Sequence, residues 1–240
     1  EVPYSVTVHA NDLFKPRISL VDILAYAQPV VCIAAAHQQL LRRSFGIEGN
    51  LVRCGVPSGF LSGEPRCSTG ELHVVSVGRW VPKKGLDTLV EAFRGLDFPA
   101  RLTLVSDAPA YLSSETISVG LRSPSTIRQL LAEADLFALP CRVSADGDRD
   151  GVPVAILEAM AAGVPVLTTA VSGIAEVVDT TVGWIVEPDD PEAITRVLVE
   201  AHGDPEERWR RGREGRSRVV SRGYTIAAQV DGLLGSWGWT

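Results

Sequence analysis

The chain has 240 residues, 45% of them hydrophobic and 22% charged, with a formal net charge of −6, a pI near 5.3 and a mean hydropathy of +0.13. This is the balance of a folded globular chain that buries one large core or two modest ones, and it excludes intrinsic disorder and any general positive field for nucleic acid. No apolar run approaches the roughly 18 residues of a spanning helix, so the chain is not expected to cross a membrane.

The four cysteines, Cys32, Cys54, Cys67 and Cys141, lie far apart and form no Cys-x-x-Cys pair. Neither a zinc site nor a disulfide framework is expected from them, and reduced thiols in a cytosolic setting are. The chain opens on Glu1, its one methionine is Met160, and no signal peptide precedes the first strand, so a cut or a missing segment at the start is expected.

Residues 2–9 (VPYSVTVH) read as a strand that ends in the turn-forming cluster His9-Ala-Asn-Asp12. A helix over 18–27, a buried strand over 29–34, a helix over 36–45 and a strand over 50–54 complete a βαβαβ unit, about half of a doubly wound domain. Residues 57–70 (PSGFLSGEPRCSTG) are rich in Pro, Gly and Ser without periodicity and read as a linker. A second set follows, with strands over 72–77, 101–105, 117–119, 136–139, 165–169 and 182–186. Helices over 86–94, 125–133, around Glu158, over 174–178 and over 191–202 alternate with them. That alternation predicts a parallel sheet with right-handed crossovers. From residue 205 onward the chain reads as helix with breaks, and no internal repeat is present.

Three stretches carry candidate chemistry. The strand over 72–77 runs into Gly78-Arg79-Trp80-Val81-Pro82-Lys83-Lys84-Gly85 ahead of a helix. A turn glycine, several cations and a helix N-terminus make a diphosphate cradle; a solvated basic loop is the alternative. The loop Asp146-Gly-Asp-Arg-Asp-Gly151 opens like a calcium loop, but the twelfth place, which needs Glu, holds Leu157, and Glu158 is one residue late. The same loop leads into a helix so that Asp150 faces a ligand at its mouth and Glu158 lies two turns down, able to accept hydrogen bonds from a ribose diol. Gly151 and Val152 point backbone N–H groups outward between the two acids. Both acids could equally complement the helix dipole.

His9 ends a strand at the edge where doubly wound sheets hold ligands, and Gly173 and Glu176 (SGIAE) open a short helix at a matching edge. His37, His73 and His202 have no evident partners. Seven arginines from Arg208 to Arg222 form a basic segment that reads as a solvated helix face, with contact to an anionic membrane surface as the alternative.

Taken in order and spacing, VSVGRWVPKKGLDTLVEAF, ADLFALP, DGDRDGVPVAILEAMAAGVPVLTT, SGIAEVV and GWIVEPDDPEAI resemble the nucleotide-sugar domain of family-4 (group 1) retaining glycosyltransferases of the GT-B fold. The resemblance runs from about Leu72 to the end. Residues 2–57, with TVHANDLF and LVRCGVP, resemble the second half of the same family's N-terminal domain, and DGDRDGVP is most similar to enzymes of exopolysaccharide and colanic-acid-type assembly. The resemblance implies that Arg79 and Lys84, beside Gly78, bind the donor diphosphate and stabilise the leaving group. It implies that Asp150 contacts sugar hydroxyls, that Glu158 holds the ribose, and that Gly151, Val152 and Pro153 offer backbone contacts. Gly173 and Glu176 would line the same pocket, His9 would approach the sugar from the other domain, and Leu121 or Arg122 would sit beside the base. Two departures stand out: the first acid is Asp150 where the family has Glu, and the family's Gly-Asp-Gly-Pro turn is Ser106-Asp107-Ala108-Pro109.

The expectation is therefore an α/β chain of GT-B type: a partial N-terminal Rossmann-like domain (1–56), a linker (57–71), a complete C-terminal Rossmann-like nucleotide-sugar domain (72–222) and a C-terminal helix (223–240). The implied activity is transfer of a hexose from a nucleoside diphosphate sugar to a saccharide or lipid-linked acceptor, with retention, no cofactor and no metal. No nucleic acid partner is expected, and the setting is cytoplasmic with peripheral contact at the inner face of the membrane. A non-catalytic donor-binding fragment and a calcium-binding module are the alternatives.

Overall fold

A computed structural model of the chain describes residues 4–14, 20–63, 65–109 and 116–239. The N-terminal unit runs β1 (Val6–Val8), α1 (Ala10–Phe14), α2 (Leu20–Tyr26), β2 (Val30–Cys32), α3 (Ala35–Phe45) and β3 (Asn50–Leu51). Its three strands pair in parallel in the order β1-β2-β3, over a small core of Val8, Leu24, Val30, Cys32 and Leu41.

Several elements are shorter than their sequence suggests. The strand expected over 2–9 is Val6–Val8, residues 2 and 3 lying outside the described residues, and the strand expected over 50–54 keeps two residues in the ladder. The helix expected over 18–27 is Leu20–Tyr26, with residues 18 and 19 also outside. The turn expected at His9–Asp12 is instead the start of α1. The Asp12 carboxylate accepts the His9 N–H at 2.8 Å while the His9 carbonyl accepts from Asp12 and Leu13, half of a capping box.

The second unit comprises β4 (Leu72–Val77), α4 (Leu86–Phe93), β5 (Ala100–Val105), β6 (Thr116–Ser118), α5 (Pro124–Glu133), β7 (Leu136–Leu139), α6 (Val154–Ala161), β8 (Val166–Thr169), β9 (Gly183–Val186) and α7 (Pro191–Gly203). All six strands are parallel, in the order β6-β5-β4-β7-β8-β9. Central strands are buried along almost their whole length, because helices cover both faces: Val74, Val75, Leu136 and Phe137 are completely buried, and so are the polar Ser76, Thr168 and Thr169 to within 1%. Side-chain caps start the helices where the sequence offers them, from Ser123 for α5 and Asp190 for α7, each followed by proline at the first helical position. The short helix expected over 174–178 is a single 3-10 turn, Ser172–Glu176.

The described part of the expected linker is packed rather than free. Phe60, in the 3-10 turn Ser58–Leu61, is buried in the second unit's core, Pro65 abuts Gly163, and the Ser68 hydroxyl donates to Asp135. Pro, Gly and Ser here supply tight turns against a surface, not slack.

After α7 come α8 (Pro205–Ser221) and α9 (Ile226–Ser236). Between them the chain returns to the N-terminal unit. Val56 and Thr225 form a parallel bridge, the Gly55 N–H donates to Gln229 Oε1 at 2.9 Å, and Gly232 of α9 faces Val52. The arginines of α8 and its end brace the fold. Arg208, 4% exposed, donates to the carbonyls of Ala201 and Ser68; Arg211 stacks on Trp184 and donates to Gly183 O; Arg218 pairs with Asp179 at 2.7 Å and caps Val177 O. Arg210 binds Glu207, Arg213 covers Trp209, Arg216 reaches Gly63 O and Arg222 reaches Glu176 O. Arg208 and Arg218 are thus buried structural groups and Arg211 is largely covered, while Arg210, Arg213 and Arg222 stay exposed on the solvated face that was expected. Among the described residues no helix is long and apolar enough to cross a membrane.

Candidate active site

Strand order reverses between β4 and β7, and in open α/β sheets ligands sit at the C-terminal ends of the strands flanking such a point. From β4 the chain passes Gly78 and Arg79 into the 3-10 turn Pro82–Lys84 and then α4. Gly85 joins them with φ 63°, and a Cβ there would lie 2.0 Å from the Pro140 carbonyl oxygen; only glycine lets this turn close on the end of β7.

That closure sets two lysines against the acid loop that follows β7. Lys84 Nζ lies 2.6 Å from Asp150 Oδ2. Lys83 Nζ lies 3.3 Å from Asp150 Oδ1 and 3.1 Å from Asp148 Oδ1, and its side chain is only 8% exposed. Shielded from water, these attractions exceed those of surface pairs. The Cys141 thiol sits beneath, 3.9 Å from Asp150 Oδ2, and burial pushes its pKa up to about 12, which makes it a packing group rather than a nucleophile. Asp148 and Asp150 are turned onto lysines instead of onto a shared cation site, and among the described residues no three His, Cys, Asp or Glu side chains converge as metal ligands would.

Gly78 leaves room for the Lys84 stem, 3.5 Å from where its Cβ would be. Arg79 is exposed at the mouth. Asp107, in the departing Ser106-Asp107-Ala108-Pro109 turn, accepts the Trp80 N–H at 2.6 Å, and this bond above all holds its carboxyl below the usual range, with Arg79 adding to it. The turn therefore ties the end of β5 to the basic segment.

Pro153 precedes α6, and Glu158 lies in its second turn, half-buried and without a hydrogen-bonding or ionic partner among the described residues. Burial alone pushes its carboxyl up to about 7. An acid whose acceptor oxygens are unused suits a pair of neutral donors such as a diol.

The N-terminal unit closes on this loop from the other side. Gly151 packs against His37 of α3 and Ala10 of α1, and a Cβ on Gly151 would be 2.6 Å from His37 Cε1. Val152 is buried against Gly173, which also faces Ala34. His9, at the end of β1, is exposed and close enough for its charge to act on His37. Glu176, expected in the pocket, reaches across the seam: its carboxylate accepts the N–H groups of Ala35 at 2.9 Å and Ala36 at 2.7 Å. Ala34 offers α3 no side-chain cap, so Glu176 supplies it from the other unit. Leu121 and Arg122 are exposed beyond β6, the edge strand, and are not brought to the lysine–acid cluster; Arg122 donates to the Leu121 carbonyl, at 3.1 Å.

Two residues of the site were not singled out from sequence. Lys83 was visible as half of a Lys-Lys doublet, though nothing marked it as the buried member. His37 gave no signal, since its partners lie far along the chain.

A three-stranded and a six-stranded parallel sheet meeting at one seam, with cations set against an acidic helix entry at the switch point of the larger, are the arrangement of the GT-B fold. Solved structures of like fold include sucrose-phosphate synthase from Thermosynechococcus elongatus, with a TM-score of 0.82, 21% identity and coverage of 97% of this chain and 66% of that one. Anabaena Alr3699/HepE in complex with UDP and glucose aligns with a TM-score of 0.81 and 16% identity over 98% of this chain and 71% of that one. The chain belongs to the glycosyl transferases group 1, whose family model matches residues 71–204, more than half of it. Relatives include the amylovoran biosynthesis glycosyltransferase AmsK of Erwinia amylovora, 37% identical over 53% of this chain and 35% of its own length. The putative colanic acid biosynthesis glycosyltransferase WcaL of Escherichia coli is 35% identical over the same shares, 53% and 35%. The matched region thus spans about a third of those relatives.

Proposed function

We propose that the chain carries the donor site of a retaining glycosyltransferase that moves a hexose from a nucleoside diphosphate sugar to a saccharide or lipid-linked acceptor in exopolysaccharide or cell-envelope assembly. The observation that carries this reading is the Lys84–Asp150 pair at 2.6 Å on the switch point, with the unpartnered Glu158 on the helix that follows. The names of AmsK and WcaL support the setting, and the UDP and glucose of the Anabaena neighbour support the ligand class.

In this reading the diphosphate takes Lys84 and Arg79, as charge-assisted contacts to phosphate are the strong ones. Lys84 then leaves Asp150, Lys83 keeps hold of it, and the Asp150 carboxylate is directed to sugar hydroxyls. Glu158 accepts from the ribose, Gly151 to Pro153 offer backbone, and His9 approaches from the N-terminal unit. As the glycosidic bond to the diphosphate breaks, negative charge grows on the leaving oxygen beside Lys84 and Arg79, where fixed cations lower the barrier. Those cations do the work a metal does in other transferases, so no metal is required. The internal pairing of the α8 arginines gives no support to membrane contact through that segment, and a cytoplasmic setting follows from where nucleotide sugars are used.

A melting-temperature screen over UDP- and GDP-sugars with chelator present tests this: one or more should raise the melting temperature, and none doing so while calcium does would overturn it. A second reading is donor binding without transfer. Calorimetric saturation by UDP or GDP without sugar release from any donor would select it.

A further inference from the structure

The residues on either side of Asp150 are each held by an aromatic ring from the other unit. Arg149 places its guanidinium 4.0 Å from the ring centre of Phe14 in α1, and Gly151 lies against the imidazole of His37 in α3. The two rings meet edge to face, 5.8 Å between centroids. His37 is 0% exposed, and among the described residues neither ring nitrogen has a hydrogen-bond partner. Each unpaired buried polar atom is destabilising, whereas a phenylalanine of similar shape would fill the space beside Phe14 and Gly151 without that penalty. Packing alone therefore does not account for an imidazole here.

We infer that His37 is a positioning residue for the sugar end of the donor site: it seats the Gly151 backbone, fixes the Asp150 carboxylate, and gains its hydrogen-bond partner when the sugar is bound. The inference rests on the donor-site reading above. It makes a distinction that a structural role would not. Asp150 serves the sugar, while Lys84 and Glu158 serve the nucleotide, so losing the ring nitrogens should weaken nucleotide-sugar binding more than nucleotide binding.

The test uses the full chain with UDP, GDP, UDP-glucose and GDP-mannose as probes in calorimetry. His37→Phe is expected to melt no lower than the wild type when empty, to bind the preferred nucleoside diphosphate within about threefold of wild type, and to bind the matching nucleotide sugar at least tenfold more weakly. His37→Gln, which restores polar atoms near Nε2, is expected to recover most of that loss. Should His37→Phe fold poorly, His37→Leu and His37→Gln are compared on the same ratio of affinities. An unchanged ratio, or equal losses for nucleotide and nucleotide sugar, overturns the inference; if Lys84→Ala meanwhile loses nucleotide binding, the donor-site reading survives. A wild type that binds none of the four probes overturns both.

Discussion

Lys84 and Asp150 meet at 2.6 Å across the switch point of the six-stranded sheet, the lysine arriving from β4 and the acid from β7. The carboxylate holds the ammonium where an anionic ligand would arrive, so Asp150 stands in for that ligand's charge. Lys84→Ala should weaken binding of UDP or GDP at least tenfold, about 1.4 kcal/mol. Calorimetry decides it, and an unchanged affinity would move the site elsewhere.

Lys83 has the structural share of the same cluster. Replacing it with Met removes the ammonium that Asp148 and Asp150, both largely shielded, share, and should lower stability by about 3 kcal/mol. Asp150→Asn, which leaves Lys83 paired with Asp148, should lower it less. Urea denaturation at neutral pH ranks the two; the reverse order would contradict the geometry.

Glu158 makes stability and binding respond to pH in opposite senses. Its carboxyl is raised from 4.5 to about 7 on folding, so the folded protein favours the protonated form. Stability from this group is complete below about pH 4.5 and is lost as pH rises through about 7. Glu158→Gln should remove that slope and make the empty protein more stable at pH 8, by about 3 kcal/mol at most. Donor binding needs the ionised acceptor, so wild-type affinity for UDP or GDP should rise through about pH 7 and plateau, and the Gln variant should lie at least tenfold weaker and flat. Melting curves and calorimetry from pH 5 to 8 read both.

Glu176→Ala removes the cap that the second unit lends to α3, at 2.9 and 2.7 Å from Ala35 and Ala36 N–H. A loss of about 1–2 kcal/mol is expected, with faster hydrogen exchange at those two amides. Nucleoside diphosphate affinity should stay within about threefold; a tenfold loss would return Glu176 to the pocket where the resemblance put it.

The alternation of elements was legible because apolar strands and Gly- or Pro-bounded helices announce themselves locally, and Asp150 and Glu158 were legible because one loop and one helix carry both. What was hidden arises between distant segments. Glu176 looked like a pocket residue until α3, lacking a cap of its own, supplied a use for it. Lys83 and Lys84 are alike in sequence and differ only in what Gly85 and Pro140 press them against. Phe60 reads as linker because the surrounding Pro, Gly and Ser outweigh one aromatic, and Arg208, Arg211 and Arg218 read as surface because their carbonyl partners are scattered over several elements.

The bridge between Val56 and Thr225 has a mechanical consequence. The chain passes from the N-terminal unit to the second unit at one of these residues and comes back at the other, so the two connections are fastened to each other and neither is displaced without the other.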